Sequence, residues 1–466
     1  MASSNPAHFP ASSRFHANFA LCEDLEKPVG SIDTGVGFLN HMLDQFNSHA
    51  QIGTTLTITD FAGEDVKDVT SLNVTDAAVK AINAHDPNRH AGHQQAKLMS
   101  LVGAKLGTEF KRLLAESPNA GETSRFCCPL DEALVACTLK RNKAASSVTL
   151  YTLPPFGKFP AAGRQYLGKM ETAQLRVFWS SLAQHAGLDI SLRKIRGDNA
   201  HHIVESSFKA VSRAFRNMLD GIDTTTATAT TNTTTTTAPE ETTTDANRRR
   251  MYGPDSINWQ QGVAQGRQAT VSRRTKETSI AATVQLDGGA AGVQICTGIA
   301  TLDDFLTHMA TAACISLNVA CTGDLWIDEH HTAEDVAISV GQVLNEAFGT
   351  KAGLNRMWCA AAEQGDSLVE VTMDLSNRPC LTHNLHLDNG EEKVGDLSME
   401  MLEHVLESLV VNSRMTVHMV QLHPNNNVKD TVHAVAMAFG QALKYCAMVD
   451  SRRMGATASS KGTLSV

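Results

Sequence analysis

Between Thr224 and Thr244 the chain is almost entirely threonine and alanine, broken by Asn232, Pro239 and the Glu240-Glu241 pair. Such a stretch has no apolar period and cannot bury a core, so it reads as a disordered tether whose basic end, Arg248 to Arg250, is solvated. A tether at that place leaves two segments of similar length, each of which must build its own core. The expected organisation is a first module over 1–222, a linker over 223–250 and a second module over 251–466.

The two modules read as diverged copies. Thr34-Gly35-Val36-Gly37-Phe38-Leu39 answers Thr297-Gly298-Ile299-Ala300-Thr301-Leu302, and Ser181-Leu182 with Leu188-Asp189-Ile190 answers Ser408-Leu409 with Met415-Thr416-Val417. Val204, Phe208, Val211, Phe215 and Met218 form an apolar stripe at helical spacing, with Gly221 placed to stop the helix. Val336, Val340, Val343 and Ala347, ended by Gly349, do the same in the second module. Between such helices run alternating strands, such as 315–319 and 369–373. The pattern predicts an α/β class of fold: two tandem α+β two-layer sandwiches, each module itself a duplicated half-domain. Residues 83–123, rich in His and Ala, read as an insertion in the first module.

Charge and cysteine usage narrow the function. A net charge of −9 and a pI near 6.1 argue against a nucleic-acid binder. The ten cysteines contain no CxxC, and only Cys127-Cys128 are adjacent, so reduced thiols in the cytoplasm are expected. The first residues lack the apolar segment of a secretory signal. No apolar run reaches the ~18 residues a membrane helix needs. The expectation is a soluble protein with no membrane partner.

Two motifs share one spacing, HHxxE: His201-His202-Ile203-Val204-Glu205 and His330-His331-Thr332-Ala333-Glu334. On a helix, the first His and the Glu lie four residues apart on one face, while the second His points about 100° away. One segment can thus offer a His and a carboxylate to one ion and a second His to another. Mixed nitrogen and oxygen donors suit zinc, manganese, iron or nickel. The absence of HExxH argues against a metallopeptidase.

With these residues in place, both modules resemble imidazoleglycerol-phosphate dehydratase of histidine biosynthesis. The second module carries Lys276-Glu277-Thr278, Gly323-Asp324-Leu325 leading into the HHxxE motif, Asp374-Leu375-Ser376-Asn377-Arg378-Pro379, and Ser459-Ser460-Lys461-Gly462. The first carries residues 37–45, including His41, then Ser48-His49 and Asn199-Ala200-His201-His202 with Lys209 one turn beyond Glu205. A single family module holds both HHxxE motifs and one His before each. Here the losses are complementary. The first module keeps His41, His201, His202 and Glu205, while the place of its first motif falls near Thr70 to Asp76 and Ser191 answers His418. The second keeps His330, His331, Glu334 and His418, with Asp304 in the place of His41 and Lys429 to His433 in the place of the second motif.

The resemblance implies a manganese pair in each shared site, held by those eight residues. It implies Glu277 and His49 as catalytic groups. Gln45, Lys209, Arg356, Arg378, Ser459 and Lys461 are the implied substrate contacts, the last four clamping the phosphate. The position of Arg378 falls near Ala144 in the first module, and Arg125 partly resembles that of Arg356. The family draws its sites from more than one subunit, so a large homo-oligomer acting on a small phosphorylated substrate is expected. The competing expectation is a non-catalytic pseudoenzyme that binds substrate or metal and regulates assembly. It is suggested by Asn40 and by Gly365-Asp366, where the family reads Asp-Glu.

Overall fold

The computed structural model describes residues 15–21 (backbone only), 30–58, 95–142, 149–222, 266–287, 292–424, 427–453, 455–459 and 464. The tether, Thr70 to Asp76 and Lys461 lie outside them.

Each half of the second module repeats one topology. Strands β10 (Gln268–Arg274), β11 (Thr278–Gln285) and β12 (Gln294–Cys296) lead into α5 (Ala300–Ala313), β13 (Ser316–Gly323) and α6 (His330–Phe348), giving a sheet of order β10-β11-β13-β12. The second half runs β14 (Met357–Gln364), β15 (Ser367–Asp374), β16 (Cys380–His383), α7 (Met399–Asn412), β19 (Thr416–His423) and α8 (Val428–Ala447). Its sheet has the order β14-β15-β19-β16, with a short β17–β18 ribbon (Lys393–Val394, Leu397–Ser398) before α7. In both sheets the strand that comes last in the chain lies parallel to one neighbour and antiparallel to the other. Inward positions of β11, such as Ile280, Ala282 and Val284, are buried while their neighbours in sequence face outward. That two-residue alternation is what a sheet covered on one face requires.

The first module follows the same plan. Its second half has β4 (Thr123–Leu130), β5 (Ala133–Arg141), β6 (Thr149–Thr152), the β7–β8 ribbon (Tyr166–Leu167, Met170–Glu171), α3 (Leu175–Ala186), β9 (Leu188–Arg196) and α4 (Ala200–Leu219). The order is again β4-β5-β9-β6. Its first half has β1 (Phe15–Leu21), β2 (Ile32–Asp33), α1 (Gly37–Gln45, extended by a π-turn over Phe46–Ala50), β3 (Ile52–Ile58) and α2 (Gln95–Glu116). The halves of each module meet through their helices: α2 packs on α3, α6 on α7 and α5 on α8. Phe46, Phe110, Phe178, Trp179, Phe208 and Phe215 fill the core between them in the first module.

Helix packing corrects the reading of 83–123 as an insertion. A Cβ on Gly107 of α2 would sit 2.5 Å from the Leu182 carbonyl and 2.9 Å from the Ala186 nitrogen. One on Gly341 of α6 would sit 2.8 Å from the Leu409 carbonyl and 2.9 Å from the Ser413 nitrogen. These glycines do the same work, admitting α3 and α7 at backbone distance, so α2 is the counterpart of α6. Stepping back from them by the same number of residues sets Ala96, Lys97 and Ser100 opposite His330, His331 and Glu334. The place of the missing motif is therefore the start of α2 rather than Thr70 to Asp76, and no His or carboxylate occupies those three positions. The sequence shift arises because 36 residues separate Ile58 from Gln95 whereas six separate Gly323 from His330, which an apolar pattern cannot detect.

Hydrogen bonds settle two other equivalences. Thr34 Oγ1 bonds Asn40 Oδ1 at 2.6 Å, and Thr297 Oγ1 bonds Asp303 Oδ1 at 2.6 Å, which sets Asp304 in the place of His41. Asn199 and Asn427 each cap the following helix with their side-chain oxygens, which sets Lys429 opposite His201 and His433 opposite Glu205.

The modules pair within one chain. Sheet β4-β5-β9-β6 faces sheet β14-β15-β19-β16 across a small apolar seam of Cys127, Leu134, Ala136 and Ile195 against Cys359 and Val420. Arg196 donates to the carbonyls of Thr382 (2.9 Å) and Met419 (3.2 Å). The C-terminal segment also reaches the first module: Arg453 donates to the Ser48 carbonyl at 2.9 Å, and Arg452 pairs with Asp220 at 2.8 Å.

Candidate active site

At the start of α4, Asn199 Oδ1 accepts from the backbone nitrogens of His201 (2.9 Å) and His202 (3.4 Å), ending the helix cleanly so that both rings project from its first turn. His201 Nε2 lies 3.0 Å from Glu205 Oε2 one turn on, and His41 Nε2, from α1, lies 3.7 Å from the same oxygen. The donor atoms of His41, His201 and Glu205 are all within 4.8 Å of one another, a spacing that one divalent ion could bridge. Lys209 Nζ holds the other Glu205 oxygen at 2.8 Å. Burial works to raise the Glu205 pKa, but the bonds from His201 and His41 and the Lys209 charge outweigh it and hold the carboxyl well below its usual range.

His202 turns the other way, as the helical phase requires. Its Nδ1 lies 2.7 Å from Glu132 Oε2, which leaves Nε2 directed toward Asp131 Oδ2 at 3.8 Å. Asp131 and Glu132 form the tight turn between β4 and β5, where Asp131 has a φ of 49°. That turn joins the modules. Arg378 Nε donates to Asp131 Oδ1 at 2.7 Å, and His418 Nε2 to the Asp131 carbonyl at 2.7 Å. The equivalent turn of the second module is Gly365-Asp366.

His41, His201, His202, Glu205 and Lys209 line a pocket of about 520 Å³ together with Arg356, Arg378 and Ser459 of the second module. Arg356 is buried and held bidentately by Asp374 (2.7 and 2.8 Å), with its remaining nitrogen on the Ala458 carbonyl. Arg164, from the loop before β7, is a further cation on the wall. Arg125 does not take the place of Arg356. It lies within β4, opposite Thr138, and pairs with Glu370 across the module seam.

Gln45, His49 and His418 do not line this pocket. Gln45 is fully buried, its amide nitrogen donating to the His41 carbonyl at 3.1 Å. His49 is fully buried with neither ring nitrogen hydrogen-bonded. Burial, reinforced by the cations Lys209, Arg213, Arg356 and Arg453, pushes its pKa well down and keeps the ring neutral. His418 is also fully buried, and burial brings it to about 4 despite its bond to Asp131.

The second-module motif forms a separate cluster on the surface. His330 Nε2 lies 3.8 Å from Glu334 Oε2, and His404 of α7 lies 3.3 Å from Glu334 Oε1. His330, Glu334 and His404 thus have donor atoms within 4.8 Å of one another. His331 Nδ1 meets Asp324 at 3.1 Å, while its Nε2 lies 3.9 Å from Glu277. The Asp324 bond, then the Glu277 charge, raise the His331 pKa. At the place answering the first-module cluster, the second module has a stacked pair, His308 and His433, with ring centroids 4.5 Å apart and Asp304 and Asp430 nearby. Among the described residues no three donor atoms there converge as a metal site needs.

Sequence reasoning missed Asp131, Glu132, Arg164 and His404, and gave Asp324 no role. A signal existed for the first two: Asp131-Glu132 is the Asp-Glu pair that was sought only at Gly365-Asp366. Nothing local marks His404, which reaches Glu334 from another helix. The donor sets suit a divalent ion: imidazole and carboxylate converge without thiolates, and carboxylates bind the far nitrogens of His202 and His331, a common arrangement around metal-bound histidine.

A histidine–carboxylate cluster faces arginines across one pocket, an arrangement of the class found in enzymes that act on small molecules. The profile of the family described as imidazoleglycerol-phosphate dehydratase matches residues 90–215 and 297–443, more than half of the chain. The chloroplastic imidazoleglycerol-phosphate dehydratase of Pisum sativum is 39% identical over 195 residues, 42% of this chain and 68% of the relative. That of Microcystis aeruginosa is 39% identical over 211 residues, 45% of this chain and 97% of the relative. The Staphylococcus aureus enzyme structure is 27% identical and covers 39% of this chain and 99% of its own, with a TM-score of 0.35. The chain belongs to the imidazoleglycerol-phosphate dehydratase family of hydro-lyases and carries two diverged family modules in tandem. Among the described residues no helix is long and apolar enough to cross a membrane.

Proposed function

We propose that this chain dehydrates imidazole glycerol phosphate to imidazole acetol phosphate in histidine biosynthesis, at sites built from both modules. The observation that carries this is the single pocket in which first-module His41, His201, His202 and Glu205 face second-module Arg356, Arg378 and Ser459. Arg378, Ser459, Lys461 and Lys209 bind the substrate phosphate, with Arg356 braced by Asp374 behind them. His41, His201 and Glu205 would hold one manganese ion and His330, Glu334 and His404 a second. The Nε2 atoms of His202 and His331, which turn away from these groups, would be offered to an ion of another cluster. His418, expected from the sequence as a ligand, is buried on the Asp131 carbonyl and is corrected to a residue outside both sets. Such a pair supplies Lewis-acid stabilisation of charge that develops on the imidazole during the reaction. Glu277 takes the carbon-bound proton beside the ring, and the departing hydroxyl leaves with a proton as water.

Glu277, His330 and His331 are not among the residues lining that pocket, so a complete site combines the pocket of one chain with the surface cluster of another. The exposed run Leu325, Trp326 and Ile327 (39, 83 and 61% accessible) lies just before His330 and suits a contact between copies. This reading carries with it a large homo-oligomer in the cytoplasm. Two measurements test it. Dehydratase turnover should require both modules: residues 251–466 alone should be inactive, and adding 1–222 should restore activity. Light scattering with manganese present should report a multimer; a monomer that turns over substrate would remove the inter-chain site. An intact, metal-loaded multimer without turnover would favour the pseudoenzyme, for which the ligand-poor His308–His433 face is the supporting feature.

A further inference from the structure

The seam between the modules holds chemistry that the dehydration does not use. Cys127 of β4 and Cys359 of β14 approach each other from opposite modules, and their sulfurs and a Glu370 oxygen lie within 4.8 Å of one another. We propose that Cys127 and Cys359 form an oxidative modification site that takes a low-molecular-weight disulfide and closes into a covalent bond between the modules.

Three features favour a disulfide over a metal site. Both Glu370 oxygens are already held by Arg125, at 2.5 and 2.9 Å, so the third ligand is engaged. That guanidinium also repels a cation from the seam. Two thiols alone are too few donors for a tetrahedral zinc site. Closure to the ~2.05 Å of a disulfide moves the sulfurs together by about 3 Å at most.

The two thiols have different environments, which orders the steps. Cys359 is partly exposed, so a small disulfide can reach its sulfur, which lies 3.9 Å from Arg125 Nη1. Cys127 is fully buried, and the neighbouring Cys359 thiol and desolvation raise its pKa. Cys359 thiolate attacks the small disulfide, forming a mixed disulfide and releasing one thiolate. Cys127 then gives up its proton and attacks the Cys359 sulfur, expelling the second thiol. Two protein thiols are oxidised and one external disulfide is reduced to two thiols. Cys127 lies four residues before Asp131 and Cys359 three after Arg356, so the bond would lock the two strands that deliver these residues to the pocket.

The test uses the full chain, folded, treated with oxidised glutathione, then alkylated, digested and examined by mass spectrometry without reduction. The expected product joins the Cys127 and Cys359 peptides, with two free thiols lost from ten and no glutathione retained at either position. Cys359→Ser should abolish it. Cys127→Ala should stop the reaction at a glutathione adduct on Cys359, while Cys296→Ser, at an exposed cysteine elsewhere, should leave it unchanged. A stable glutathione adduct on Cys359 in the unsubstituted chain, an unreactive Cys359, or a stoichiometric zinc ion lost with Cys127→Ala would each overturn the proposal. None of these readouts depends on dehydratase activity.

Discussion

Glu132 Oε2 lies 2.7 Å from Nδ1 of His202, and the same carboxylate accepts the backbone nitrogen of Asn199 at 2.8 Å. One side chain in a β-turn therefore fixes both the start of helix α4 and the orientation of the ring that projects from it. Asp324 meets His331 at 3.1 Å in the other cluster. Glu132→Ala should weaken manganese binding by roughly 10–100-fold, the usual cost of losing a carboxylate behind a metal-bound imidazole. Titration calorimetry, with circular dichroism to verify folding, checks this. Unchanged affinity would reduce Glu132 to a helix cap.

Replacing either motif histidine should be worse. His202→Ala and His331→Ala are each expected to abolish turnover although they lie in different modules, because neither has a spare copy in the chain. Lys429→Ala with Asp430→Ala, on the degenerate second-module helix, should keep most of the activity. Near-parent turnover in His202→Ala alone would make the first module a scaffold.

The ion pair across the seam should be asymmetric. Glu370 has a side chain only 4% accessible, whereas that of Arg125 is 28% accessible. Arg125→Ala leaves a buried carboxylate without its cation and should cost about 3–5 kcal/mol, whereas Glu370→Ala leaves an arginine that water can reach and should cost less. Denaturant melts of the two variants decide the order, and equal losses would contradict it.

Asp450 supplies a pH signature. Burial tends to raise its pKa, but Arg452 and Arg453 pull it down to about 2 from an ordinary 3.8. A carboxyl depressed on folding stabilises the fold above its unfolded pKa, and that stability is lost as pH falls through the folded value. About 2 kcal/mol should therefore be present above pH ~4 and disappear toward pH ~2. Asp450→Asn should flatten the dependence of Tm on pH between those limits. The parent and the variant losing Tm in parallel would show that Asp450 contributes nothing there.

Much of this was legible from spacing. His201 with Glu205 and His330 with Glu334 needed only the helical repeat, and both pairs lie on one helix face. Asp304 and Lys429 also stand in the three-dimensional structure at the positions answering His41 and His201. The register of the first missing motif was not legible. Gly107 and Gly341 define it through contacts with other helices, and the segments that precede the two helices differ in length.

What the sequence determined by itself is local and repetitive: two modules, their α/β alternation, and which residues share a helix face, because a helix repeats every 3.6 residues whatever surrounds it. Tertiary structure decided who meets whom. Glu132 reaches His202 only because a tight turn abuts a helix start, and Arg378 meets Asp131 only because the two sheets stack. His404 joins Glu334 across two helices, and Cys127 faces Cys359 across the seam. Those contacts join residues far apart in the chain, and the burial of apolar sheet and helix faces, which brings them together, leaves no periodic trace at the polar positions it joins.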